Sequence, residues 1–101
     1  MTVELNNMAV KPWANEEVGI LSTTTHTHHL IVWNDEVNTF DHVIETLIEI
    51  CNHNFEQAEQ CALLIHTKGK YAVKHGYYDT LRAQKEAITE RGINATIEEI
   101  S

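Results

Sequence analysis

The stretch Leu30-Ile31-Val32-Trp33-Asn34-Asp35-Glu36 changes character at Asn34, and that change sets the reading of the whole chain. Leu30 to Trp33 is an apolar run rich in strand formers, while Asn, Asp and Glu are poor strand residues. The pattern predicts a strand over His28–Trp33 that runs into a polar loop. Just beyond, Asn38 or Thr39 can cap a helix. Phe40, Val43, Ile44, Leu47, Ile48 and Cys51 then recur at i, i+3, i+4 and i+7, the spacing of an amphipathic helix.

Downstream the same signals repeat. Asn52-His53-Asn54 breaks the first helix, and Asn54 with Gln57 three residues on forms a capping box for a second. Phe55, Ala58, Cys61, Ala62 and Ile65 supply its apolar stripe. Leu63 and Leu64 widen that stripe, so this helix is expected to be the most buried. Gly69 suits its C-terminal cap. Lys70 to Lys74 alternates as a short strand with Tyr71 and Val73 on one face, and His75-Gly76 reads as a turn. Asp79 can cap a third helix that runs to Arg91, with Tyr78, Leu81 and Ile88 buried and Gly92 closing it. Ile93 to Ile100 reads as a last strand. Three short strands cannot bury one another, so the expected fold is α+β. A three-stranded antiparallel sheet packs against three helices, in the order β-α-α-β-α-β, within a domain spanning residues 28–101.

Residues 1–27 read as a flexible N-terminal extension. Lys11-Pro12-Trp13 interrupts its brief alternation, and Ser22 to Thr27 has nothing to bury. Fifteen acidic and seven basic residues give a formal net charge of −8. Such a surface repels phosphate backbones, which argues against nucleic-acid binding, and it attracts cationic groups. No stretch has the apolar length of a membrane helix, and no signal-peptide pattern opens the chain, so a cytoplasmic location is expected. Cys51 and Cys61 sit in helical apolar stripes and read as buried thiols.

Two polar features stand apart from this framework. One is the Asn34-Asp35-Glu36 loop. The other is His66, one turn beyond Ala62 and next to Ile65 on the second helix. Two consecutive helices joined by a short break pack together, so the second returns toward the loop where the first began. An apolar recess rimmed by an amide, carboxylates and an imidazole would result. An ammonium group offers three donors and no acceptor. The Asn34 carbonyl, a carboxylate and a neutral His66 nitrogen offer three acceptors, and the recess would take a large hydrophobic side chain. A polypeptide amino terminus carries both parts on adjacent atoms. Read from residue types alone, a histidine on an apolar helix face is more often a core residue, and an Asn-Asp-Glu run more often a solvated loop.

Taken together, Val32-Trp33-Asn34-Asp35-Glu36, Phe40 to Leu47, Ile65-His66-Thr67-Lys68-Gly69-Lys70 and Ala95-Thr96-Ile97-Glu98 resemble the ClpS adaptor family over about residues 29 to 98. The resemblance implies a non-catalytic adaptor without cofactor or metal. Such an adaptor binds proteins with N-terminal Leu, Phe, Tyr or Trp and delivers them to the N-domain of a ClpA- or ClpC-type AAA+ unfoldase, which feeds ClpP. It implies that Asn34, Glu36 and His66, with Asp35 in the same loop, hold the α-amino group. It sets Trp33, Asn38, Phe40, Val43, Ala62, Ile65 and Ile93 at or near the side-chain pocket, and makes Lys85 the nearest match to an unfoldase-contacting lysine. The family pattern usually has Asp at Glu36, Thr-Pro-Met at Asn38-Thr39-Phe40, and Met at Ala62. The Pro-Leu usual near the last strand is absent.

Other readings weigh less. His26, His28 and His29 could bind Zn or Cu weakly, but no carboxylate or Cys completes a site there. A small protein-interaction module without N-terminal recognition is a further alternative. Cys61 and His66 are five apart on one helix and do not face each other, and no phosphate loop or paired-acid motif appears, so catalysis is not expected.

Overall fold

The computed structural model describes residues 27–100, and within them the order is β1 (His28–Trp33), α1 (Phe40–Cys51), α2 (Phe55–Lys68), β2 (Lys70–Gly76), α3 (Tyr78–Glu90) and β3 (Ala95–Glu99). The expected extension over residues 1–27 lies, apart from Thr27, outside the described residues, as does His26. The strands form one antiparallel sheet in the order β2-β1-β3, so the chain's first strand is its centre. This is the α+β arrangement read from the sequence.

Alternation along β1 sorts its side chains. Leu30 and Val32 are 0% and 1% exposed and enter one core cluster with Val73 and Ala95 of the flanking strands. Ile44, Leu47 and Cys51 of α1, Ala58, Cys61, Ala62 and Ile65 of α2, and Leu81 and Ile88 of α3 complete that cluster. The helices therefore cover the sheet face that carries Leu30 and Val32. Both cysteines are buried, as expected. Trp33 donates its Nε1–H to Thr96 Oγ1 at 2.9 Å and lies under Lys70 Nζ, 4.6 Å from the ring centroid.

The helix boundaries follow their caps. Thr39 accepts the His42 N–H and starts α1. Asn54 and Gln57 form the reciprocal capping box at α2, and Gly69 closes that helix with φ +91°. Asn52 ends α1 at φ 60°, a left-handed conformation that asparagine tolerates better than most residues.

Several local expectations change. His75-Gly76 is not a turn but the end of β2, paired with His29 and His28. The length of β2 is set by its partner, because β1 already begins at His28. Leu30 pairs with Lys74 and Ile31 with Ala72, so Val73 is the extra residue of a bulge. Tyr77, without a side-chain cap bond, precedes α3, and Asp79 lies in the helix's first turn. Tyr78 is half-exposed and packs edge-on against His28, leaving Leu81 and Ile88 as the buried stripe. The apolar face of α2 is narrower than expected: Phe55 and Leu63 are exposed, and the helix buries mainly small residues. The last strand begins at Ala95, with Ile93 a core residue ahead of it.

Candidate functional site

The end of β1, the loop after it, the first turn of α1 and the last turns of α2 enclose a recess of about 440 Å³. It is lined by Asn34, Asp35, Glu36, Asn38, Thr39, Phe40, Val43, Ala62, Ile65 and His66. Two parts of the chain some thirty residues apart are joined here by one backbone bond. Gly69, which ends α2, accepts the Asn34 N–H on its carbonyl at 2.9 Å. Its positive φ lets the chain reverse within a residue, so the His66 turn and the Asn34 loop meet.

The polar rim divides into two sets. Asp35 and Asn38 build the loop. Asp35 Oδ1 accepts the N–H groups of Val37 and Asn38 at 2.9 and 2.8 Å, and Oδ2 accepts the Asn38 amide at 2.7 Å. The same Asn38 amide nitrogen donates to the Gly92 carbonyl at 2.9 Å. These bonds hold the Asp35 carboxyl below its ordinary range, with the Asn38 N–H the largest cause and the Asn38 amide the next. Asn34, Glu36 and His66 form the other set. All three are exposed, and none makes a side-chain hydrogen bond or ion pair among the described residues. His66 is thus a surface residue at the recess and not a core histidine.

The apolar wall comes from both helices. Phe40 and Val43 stand one turn apart on α1, with Phe40 41% exposed. Ala62 and Ile65 on α2 are 3% and 2% exposed, their backs in the core. Thr39 lines the recess as well as capping α1, a second role that its cap position conceals in the sequence. Trp33 and Ile93 are not among the lining residues: Trp33 turns to Thr96 and Lys70, and Ile93 packs in the core. Lys85 lies elsewhere, with Tyr78, Thr96 and Ile97 around a separate hollow of about 260 Å³. Among the described residues there is no group of three or more metal-ligating side chains, and no helix is long and apolar enough to cross a membrane.

Chemically, the recess joins acceptors that have no partner among the described residues to an apolar cavity. A cationic donor group suits the rim and a hydrophobic side chain suits the interior.

Comparison with known proteins gives a consistent family. The family model described as "ATP-dependent Clp protease adaptor protein ClpS" matches residues 23–96. The chain is 27% identical over 99 residues to the ATP-dependent Clp protease adapter protein ClpS of Corynebacterium diphtheriae, covering 96% of this chain and 88% of that protein. It is 26% identical over 83 residues to the ClpS of Corynebacterium aurimucosum, covering 82% and 75%. The fold is similar to that of Agrobacterium tumefaciens ClpS2, solved bound to L-phenylalaninamide. The TM-score is 0.69 at 17% identity, over 75% of this chain and 99% of that one.

Proposed function

The chain belongs to the ClpS family of ATP-dependent Clp protease adaptors, a non-catalytic family, and from that premise we propose that its recess grips the amino terminus of proteins destined for degradation. The Asn34 carbonyl oxygen, a Glu36 carboxylate oxygen and a neutral His66 nitrogen accept the three N–H bonds of an α-ammonium group. Phe40, Val43, Ala62 and Ile65 receive a large hydrophobic first side chain. The adaptor then hands the bound protein to a ClpA- or ClpC-type unfoldase. One observation carries this reading: three exposed polar side chains without a partner among the described residues line an apolar recess. The ligand of the Agrobacterium ClpS2 structure pairs a free α-amino group with a phenyl ring, the same two chemical parts.

The magnitudes are consistent with reversible capture. Each charge-assisted hydrogen bond contributes about 1.5–3 kcal/mol, and burying a Leu or Phe side chain about as much again. After the cost of association, a Kd near the micromolar range, about −8 kcal/mol, is expected.

Fluorescence anisotropy with one labelled peptide beginning in Phe, free and N-acetylated, tests this. Acetylation removes the charge and two donors, so affinity should fall at least tenfold. His66→Ala should weaken the free peptide and leave the acetylated one unchanged. Equal binding of the two peptides to the wild-type chain would refute amino-terminal recognition.

A further inference from the structure

We infer that the Phe40 ring makes the recess selective, so that a first residue with an aromatic side chain is held more tightly than leucine. The inference rests on the amino-terminal reading above and narrows its substrate class.

The recess wall is uneven in a way that favours rings. Among the described residues that line it, Phe40 is the only phenyl group, and it is 41% exposed. It occupies the first position of α1, where the Thr39 cap fixes the backbone while the ring remains open to the recess. Ala62 and Ile65 are buried in the core and present fixed aliphatic surfaces, and Val43 is half-buried. Ala62 contributes only a methyl group, so the α2 side of the recess is lined by small and aliphatic groups. An occupant therefore meets an aliphatic wall on α2 and a mainly aromatic one on α1.

Aromatic pairs gain beyond the area they bury, because the negative face of one ring attracts the positive edge of another. They favour offset or edge-to-face arrangements with centroids about 4.5–7 Å apart. An isobutyl group can cover the Phe40 ring but has no such quadrupole. The pairing gain corresponds to about a 2- to 12-fold difference in Kd. An aromatic occupant also buries more apolar surface than leucine against any wall, so a raw preference is not diagnostic. The diagnostic quantity is the change in preference when the ring is removed.

The experiment uses the full chain and two labelled peptides that differ only in a first residue of Phe or Leu, each free and acetylated. Binding is measured to the wild type, Phe40→Leu and Phe40→Tyr, with circular dichroism and melting curves to show that each is folded. Phe40 is partly exposed, so the substitutions leave the core intact. The expected result is amine-dependent binding with a Phe-over-Leu ratio that falls about 2- to 12-fold in Phe40→Leu and is kept in Phe40→Tyr. The same ratio in all three proteins overturns the inference while leaving amino-terminal recognition standing. So does a folded Phe40→Leu chain that binds neither peptide, because a selectivity wall leaves the amine contacts in place. Acetylated peptides that bind as well as free ones, or no binding by the wild type, overturn both readings.

Discussion

Both oxygens of Asp35 are engaged by the loop that carries them, while the neighbouring Glu36 is exposed and has no partner among the described residues. The two acids are adjacent in sequence and separate in role. Asp35 shapes the turn, and Glu36 remains available to a cation. A carboxyl whose folded-state pKa lies below its unfolded value stabilises the fold most fully above the unfolded value. That stability is lost as pH falls through the depressed folded value. Asp35→Asn should therefore lower the melting temperature at neutral pH. The gap to wild type should close as the buffer is taken below the ordinary aspartate range. Melting curves in a pH series check this, and a gap that stays constant into acid would remove the carboxylate from the account. The sequence marks both acids as candidates to hold the amine. It cannot separate them, because acceptance of the Val37 and Asn38 N–H groups depends on the dihedrals of the turn and not on residue type.

At the scale of elements, helix termini are the most legible feature. Asn54 with Gln57, Thr39 before Phe40, and Gly69 after Lys68 are local signals, and each produces its cap. Strand ends are less legible because the partner decides them. His75-Gly76 has turn chemistry, yet it pairs with β1 to the end. Gly69 bears directly on the site, since it both closes α2 and holds the Asn34 N–H. A Cβ added there would meet nothing within 4 Å, so the cost of Gly69→Ala is backbone strain at φ +91° and not a clash. The substitution should destabilise the chain by about 1–2 kcal/mol in urea melts. It should also weaken peptide binding by shifting Asn34. An unchanged melt would show that the cap relaxes without cost.

For the molecule as a whole, the order of elements and the α+β class follow from periodicity and caps, and the family from residues scattered over about seventy positions. Their meeting in space follows from the short break between α1 and α2, which brings His66 back to the loop where α1 begins, and one recess joins both parts; which side chains then face it could not be read from spacing. Likewise no local pattern separates Trp33, which turns to Thr96, from its neighbour Asn34, which faces the recess. The charge is a property of the whole chain. A formal −8 should speed capture of peptides carrying Lys or Arg after the first residue. Raising ionic strength from about 0.01 to 0.15 M shortens the screening length from about 30 to 8 Å. Stopped-flow association of such a peptide should slow over that range, and that of an acidic-tailed peptide should quicken. Rates independent of salt for both would mean that the surface field does not steer binding.

The amide of Asn38 touches both Asp35 and the Gly92 carbonyl, and His42 Nε2 donates to the carbonyl of Arg91 beside it. The mouth of the recess and the start of α1 are thus sewn to the far end of α3, across 54 and 49 positions of chain. A partner that levered α3 would pull on the mouth through those stitches, and an occupant that stiffened the mouth would resist the lever by the same free energy.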